Sequence, residues 1–267
     1  MAGKGENVES NTGPSVASRD HQNVEIERKF TVSVDTETKL TQSGGTCVLV
    51  ETMKDSYFDS DQLILTMADH WLRRRNGKWE LKVPLSGWPT NKYNASETCT
   101  KYSEITNEQE IVANLCAIIN AKTDVDKHDK MTHSSEEETH SAKEDLSLEK
   151  CLIENALMPF AQFTTYRKTY SMGGGILVVV DQTDFGYSVG EIEMMTGPSP
   201  ADLLAAEAKI EEMAEKLGLG TQTVAAGKMS MFLKKFAEPH YQALLAAGVL
   251  QRQIFITLTN LGGVRCW

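Results

Sequence analysis

The chain has 267 residues, of which 40% are hydrophobic and 24% charged, and its formal net charge is −10. That is enough length for one large domain or two small ones with a true core, and the acidic balance argues against broad electrostatic binding of nucleic acid or an anionic membrane. The five cysteines are scattered without a CxxC pair, so neither a zinc site nor a disulfide framework is expected, and no apolar run reaches membrane-spanning length; a reduced, cytoplasmic, monomeric protein is the expectation.

Residues 1–23 are polar and rich in Gly, Ser and Asn, and read as a disordered leader. The first strand follows in Val24-Glu-Ile-Glu-Arg-Lys-Phe30. Residues two apart on a strand share a face, so Glu25, Glu27 and Lys29 point one way and Val24, Ile26 and Phe30 the other. Such alternation also describes the solvated side of any half-buried strand. What sets this one apart is a second acidic pair far downstream, Gly190-Glu191-Ile192-Glu193, with the same spacing.

A short helix is expected from Asp35 to the Gly44-Gly45 stop, then strands at 46–50 and 55–59, with Tyr57 and Asp59 on one face. Residues 70–84 form the clearest hairpin. Asn76-Gly77 suits a type I′ turn, which sets Arg75 opposite Lys78, Arg73 opposite Glu80, Leu72 opposite Leu81 and Trp71 opposite Lys82. Arg73, Arg75, Lys78, Glu80 and Lys82 then share a face with Trp71. Opposed like charges such as Arg75 and Lys78 call for an anion nearby.

A loop at 85–96 leads to a strand at 98–105, and a capping box at Thr106-Asn-Glu-Gln109 opens a helix with Ile111, Leu115, Ile118 and Ile119 on one side. Residues 121–149 read as a solvated, charged insertion, in part helical; its His128, His133 and His140 match no ligand spacing. Strands are expected at 160–172, 176–181 and 189–195, then a helix capped by Ser199-Pro200 with Leu203, Ile210, Met213 and Leu217 buried and a stop at Gly218. A last helix starts near Ala226 and passes Pro239. Gly227-Lys228 lacks the upstream glycine of a P-loop. The segment 246–267 has no clear place.

The carboxylates Glu25, Glu27, Asp181, Glu191 and Glu193 could supply hard oxygen ligands for magnesium or manganese. The cations Lys29, Arg73, Arg75, Lys82, Arg167 and Lys228 suit a polyphosphate. Both sets recur at strand spacing on strands with apolar opposite faces. That pattern fits an α+β fold built on a closed antiparallel barrel with a charged lumen and helices packed outside.

Glu25-Ile-Glu27-Arg-Lys29 resembles the ExExK signature of the CYTH family, also called triphosphate tunnel metalloenzymes. Asp69-His-Trp-Leu-Arg-Arg-Arg75, Trp79-Glu-Leu-Lys82 and Asp184-Phe-Gly-Tyr-Ser-Val-Gly-Glu-Ile-Glu193 look like its thiamine-triphosphate-hydrolysing branch. The likeness spans about residues 24–245. It implies an eight-stranded tunnel, Mg2+ (or Mn2+) dependence and hydrolysis of thiamine triphosphate. An inorganic or nucleoside triphosphatase, and a non-catalytic polyphosphate-binding module, are the alternatives. Carried over by residue, Glu25, Glu27, Glu191 and Glu193 match metal-site acids, and Lys29, Arg73, Arg75, Lys82, Arg167 and Lys228 match triphosphate contacts. Glu191 would also orient substrate, and Lys29 with Tyr57 resembles a catalytic dyad. Members of this branch tend to carry another acid where Val179 stands, so the ligand role falls to Asp181 on the same face. Trp71 is either a cation–π platform for the thiazolium or ordinary barrel packing.

Overall fold

A computed structural model describes residues 24–85, 98–128, 147–220 and 224–250. The expected leader, most of the 85–96 loop and the far end of the chain from 251 lie outside these residues. Eight strands run β1 (Val24–Phe30), β2 (Thr46–Asp59), β3 (Trp71–Arg75), β4 (Lys78–Pro84), β5 (Cys99–Ile105), β6 (Met158–Gly173), β7 (Ile176–Thr183) and β8 (Ser188–Thr196). They close as β1-β5-β4-β3-β2-β6-β7-β8, with every neighbouring pair antiparallel and β8 returning to β1. The closed antiparallel barrel expected from the charge alternation is the observed fold.

The type I′ prediction holds at the β3–β4 hairpin. Asn76 and Gly77 both take positive φ, 47° and 86°, and the four predicted pairs Arg75–Lys78, Arg73–Glu80, Leu72–Leu81 and Trp71–Lys82 are the observed ones. Two expected strands at 46–50 and 55–59 are instead one 14-residue strand, because β2 pairs along almost its whole length with the 16-residue β6.

Outside the barrel the apolar strand faces are covered by helices. Helix α1 (Thr36–Gln42) follows β1, and α5 (Pro200–Lys216) lays Leu203, Ala206, Ile210, Met213 and Ala214 on Val24, Ile26, Phe30 and Ile192. The Ser199 hydroxyl caps α5 by accepting from the Asp202 amide at 3.2 Å, and Gly218, at φ 72°, ends the turn after it. Helices α2 (Ile64–Met67), α3 (Glu108–His128) and α4 (Leu148–Glu154) cover Leu72, Leu81 and Ile105 with Leu65, Ile111, Leu115, Leu148 and Cys151. α3 continues through the first part of the charged insertion to His128, which fits its reading as partly helical, and α4, capped by Ser147, begins where the insertion was expected to end. His133 and His140 lie outside the described residues.

The single helix expected after Ala226 is two, α6 (Lys228–Phe236) and α7 (Glu238–Ala246), parted at Ala237 just before Pro239. α6 sets Met229 and Phe232 against Tyr57, Ala161 and Phe163, which closes an aromatic cluster over one end of the barrel. α7 is tied to α2 through His240, whose Nε2 lies 3.0 Å from the Thr66 hydroxyl. Thr66 in turn donates to Asp59, which also accepts from the Leu65 and Thr66 amides. Asp59 is thus an anchor for α2. Among the described residues no helix is long and apolar enough to cross a membrane.

Candidate active site

Strand alternation puts Glu25, Glu27 and Lys29 of β1 on the inner wall, and the neighbouring strand pairs fix what faces them. Glu27 stands directly opposite Glu193, and Lys29 opposite Glu191, across the β1–β8 pair. Two carboxylates in register repel unless a cation lies between or beside them. Each acid here has one. Lys29 donates to Glu27 and lies 3.9 Å from Glu191. Glu27 also accepts from Thr100 at 2.9 Å. Lys82 donates to Glu25 at 2.8 Å and lies 3.4 Å from Glu104.

On the opposite wall Arg167 forms a two-pronged pair with Asp181, 2.7 Å at each prong, and also donates to Glu191 at 3.1 Å. Its third nitrogen is 3.7 Å from Glu193. Lys228 enters from α6 and donates to Asp181 and, at 3.2 Å, to Glu191. Arg73 takes Glu80 at 2.7 Å, Glu104 at 2.9 Å and the Tyr57 hydroxyl at 3.4 Å. Arg75 forks onto Asp55 at 2.7 and 2.8 Å. The anion that the Arg75–Lys78 pair called for is therefore Asp55 of β2.

The structure brings Glu25, Glu27, Lys29, Arg73, Arg75, Lys82, Arg167, Asp181, Glu191, Glu193 and Lys228 onto one connected lumen network. Tyr57 and Trp71 sit at its aromatic end. The Tyr57 hydroxyl meets Arg73, while Lys29 is met by Glu27 and Glu191. Trp71 is half-buried and donates its indole N–H to Asp69 at 3.1 Å. Sequence reading left out Asp55, Glu104, Asp69 and Tyr102 as site residues. Asp55 was detectable, since it lies two residues before Tyr57 and shares its face. Asp69 was not, because nothing in the sequence signals that its carboxylate turns back into the barrel. Lys101, on the same strand as Glu104 but of opposite parity, points outward to Glu207 of α5 at 2.5 Å.

The acids divide by electrostatics. Burial disfavours charge on all of them, but around Glu191 the three cations Lys228, Lys29 and Arg167 outweigh burial and hold its carboxyl well below the usual range. Lys29 and Lys82 do the same, less strongly, for Glu27. Glu193 goes the other way: burial dominates, Arg167 is too little compensation, and Glu191, Glu25 and Glu27 push its carboxyl well above the usual range. Glu25 is likewise raised, chiefly by burial. The least compensated acid, Glu193, is thus a member of the only group of carboxylates, among the described residues, with metal-site proximity. One oxygen each of Glu25, Glu27 and Glu193 lies within 4.8 Å of the others. Three converging carboxylates, one of them short of compensating charge, fit a hard divalent cation. Asp181 and Glu191 spend their oxygens on Arg167 and Lys228 instead.

A closed antiparallel barrel whose inner wall interleaves acids with arginines and lysines, and whose helices lie outside, defines a triphosphate-tunnel architecture. The chain belongs to the CYTH family: the CYTH domain matches residues 23–227. It is 32% identical over 234 residues to the thiamine-triphosphatase of Macaca fascicularis, and 32% identical over 231 residues to that of Homo sapiens. Each match covers 83% of this chain and 89% of the relative. Among solved structures it is similar to the PH1819 protein of Pyrococcus horikoshii OT3, with a TM-score of 0.48 and 16% identity over 79% of this chain and 99% of that one.

Proposed function

We propose that this protein hydrolyses thiamine triphosphate to thiamine diphosphate and phosphate, dependent on a divalent cation, magnesium first. The observation that carries the reading is the convergence of six cations from five different elements on one lumen that also holds the Glu25–Glu27–Glu193 cluster. Each cation is held by at least one acid, so its donors are aimed before any substrate arrives. Preorganised charge of this kind is usually the largest contribution to phosphoryl-transfer catalysis.

Glu25, Glu27 and Glu193 would hold the cation, which supplies charge neutralisation at the phosphate oxygens when bound. Arg73, Arg75 and Arg167 offer planar forks to non-bridging phosphate oxygens, and Lys82 and Lys228 act as point charges. Lys29, at the centre of the β1–β8 seam, addresses the phosphoryl group that leaves. Burial opposes its charge, but Glu27 and Glu191 keep its ammonium protonated above the usual lysine value. It therefore serves as a cation and hydrogen-bond donor at neutral pH, not as a base. Glu191, charged throughout the physiological range, orients Lys228 and Arg167. Tyr57 braces Arg73 from the aromatic side, and Trp71 offers its face to the thiazolium.

A triphosphatase acting on inorganic triphosphate is the second reading. What favours it is that all six cations address phosphate, whereas the organic part of the substrate has few partners. The deciding experiment is phosphate release from thiamine triphosphate, inorganic triphosphate and ATP, with and without magnesium. Magnesium-dependent preference for thiamine triphosphate supports the first reading. Faster cleavage of inorganic triphosphate selects the second, and magnesium-dependent binding without turnover would overturn both.

A further inference from the structure

Asp69 lies just before β3 in a left-handed backbone conformation, φ 62°. Asp and Asn tolerate that region better than other residues with a side chain. The residue is buried, at 8% exposure, and its Oδ1 accepts two hydrogen bonds. One comes from the Trp71 indole N–H at 3.1 Å and the other from the Tyr102 hydroxyl at 3.0 Å.

These donors stand on β3 and β5, on either side of β4. Between them is Lys82, the cross-strand partner of Trp71, with its Nζ 6.0 Å from the Tyr102 ring centre. One carboxylate oxygen therefore fixes two aromatic rings that flank a lumen cation. The indole has a single polar atom, so this bond sets the rotation of the Trp71 ring. Trp71 also packs, together with Phe160 and Met229, against the Tyr57–Ala161–Phe163 and Leu233–Tyr241–Leu244 clusters. Tyr102 stays a donor, since burial and then Asp69 itself hold its phenol well above the usual value.

We infer that Asp69 is the positioning residue for substrate selectivity: it holds Trp71 and Tyr102 as a paired aromatic wall that receives a cationic or aromatic ring attached to a triphosphate. The inference rests on the proposed function and adds to it the residue through which an organic triphosphate is told from an inorganic one. Ring faces attract a cationic heterocycle most when they are desolvated and fixed. Inorganic triphosphate has no group to place there.

The test compares kcat and KM for thiamine triphosphate and inorganic triphosphate in the wild type, Asp69→Gly, Asp69→Asn and Tyr102→Phe. Glycine removes the carboxylate while accepting the positive φ, and asparagine keeps both the backbone preference and an acceptor Oδ1. Asp69→Gly should raise KM for thiamine triphosphate about tenfold relative to KM for inorganic triphosphate, as expected for losing one or two buried hydrogen bonds. Asp69→Asn should recover most of that ratio, and Tyr102→Phe should shift it the same way by about threefold. Trp71→Ala combined with Asp69→Gly should lose no more selectivity than Trp71→Ala alone. If the wild type prefers thiamine triphosphate and Asp69→Gly keeps that preference, the inference is wrong and the proposed function stands. Should Asp69→Gly fail to fold, an unchanged KM ratio in Tyr102→Phe overturns the inference just as well. A wild type with no preference for thiamine triphosphate removes the proposed function itself.

Discussion

Arg167 and Asp181 face each other across β6 and β7, joined by two hydrogen bonds of 2.7 Å, and Asp181 is wholly buried. Lys228 converges on the same carboxylate. Removing a buried partner leaves its counter-charges uncompensated, which costs more than the pair contributes. Asp181→Ala should therefore lower unfolding stability by about 3 kcal/mol in urea denaturation. Replacing both members, Arg167→Met with Asp181→Leu, should recover much of that stability while leaving the lumen short of a phosphate donor. A stability change of Asp181→Ala within about 0.5 kcal/mol, the usual surface value, would mean the pair is not structural.

Lys29 links the two halves of the acid network, and Gly227 brings α6 close over its side chain: a Cβ at that position would lie 3.3 Å from Lys29 Cε. Lys29→Ala should lower kcat by about 100-fold or more, the scale for removing a preorganised donor to developing charge. Lys29→Arg should not restore it, because the larger fork does not fit beneath Gly227. Turnover that survives Lys29→Ala would place the phosphoryl transfer elsewhere in the tunnel.

The internal ion pairs occupy the groups that ligands would use. A divalent cation on Glu25, Glu27 and Glu193 would draw those carboxylates away from Lys82 and Lys29, and the released ammonium groups would then face phosphate oxygens. Cation and triphosphate should consequently bind with positive coupling, by a factor of about 5 to 150 as is typical of linked sites. Calorimetric titration of a non-hydrolysable triphosphate with and without manganese measures this directly. Glu193→Gln should weaken the coupling; independent binding of the two ligands would contradict the exchange.

His240 is buried, its ring tilted at 56° against Phe160 and bonded to Thr66, and burial depresses its pKa below the usual 6.5 despite Asp59 nearby. The unfolded chain therefore binds more protons than the native protein as pH falls through 6.5 and below, so this residue's contribution to stability is present above that value and is lost on acidification. The stability difference between wild type and His240→Gln should shrink between pH 7.5 and 5.5, as measured by thermal unfolding at the two values. A constant difference would show that His240 does not titrate with folding.

How much of this was legible in the sequence follows from which features are local. The hairpin register came from Asn76-Gly77, since a type I′ turn admits one pairing. The α5 stripe came from helical spacing and the Ser199-Pro200 cap. The two Glu-x-Glu pairs and the strand-borne cations fell on the lumen because parity on a strand is a local property, whereas Lys228 reaches it from α6. Partner choice is not local. Nothing near Arg75 in the chain reveals that Asp55 neutralises it, and nothing near Trp71 reveals that Tyr102 shares its acceptor. The middle of β2 was missed for a related reason: Glu51-Thr-Met-Lys54 has no apolar alternation of its own and is a strand because β6 pairs with it. Val179 remains on the lumen wall between Thr169 and Glu191, an apolar residue in a charged row.

The strands that carry the acidic pairs are the first and last of the barrel, and their pairing is the seam that closes it. Before that seam forms, Glu25 and Glu27 belong to one end of the chain and Glu193 to the other, and no carboxylate cluster exists. Contacts of such long sequence separation are the slow ones to make. The candidate metal cluster is therefore the barrel's clasp: an ion seated there would bridge both ends of the domain, so that the pairing which completes the fold is also the one that assembles the carboxylates.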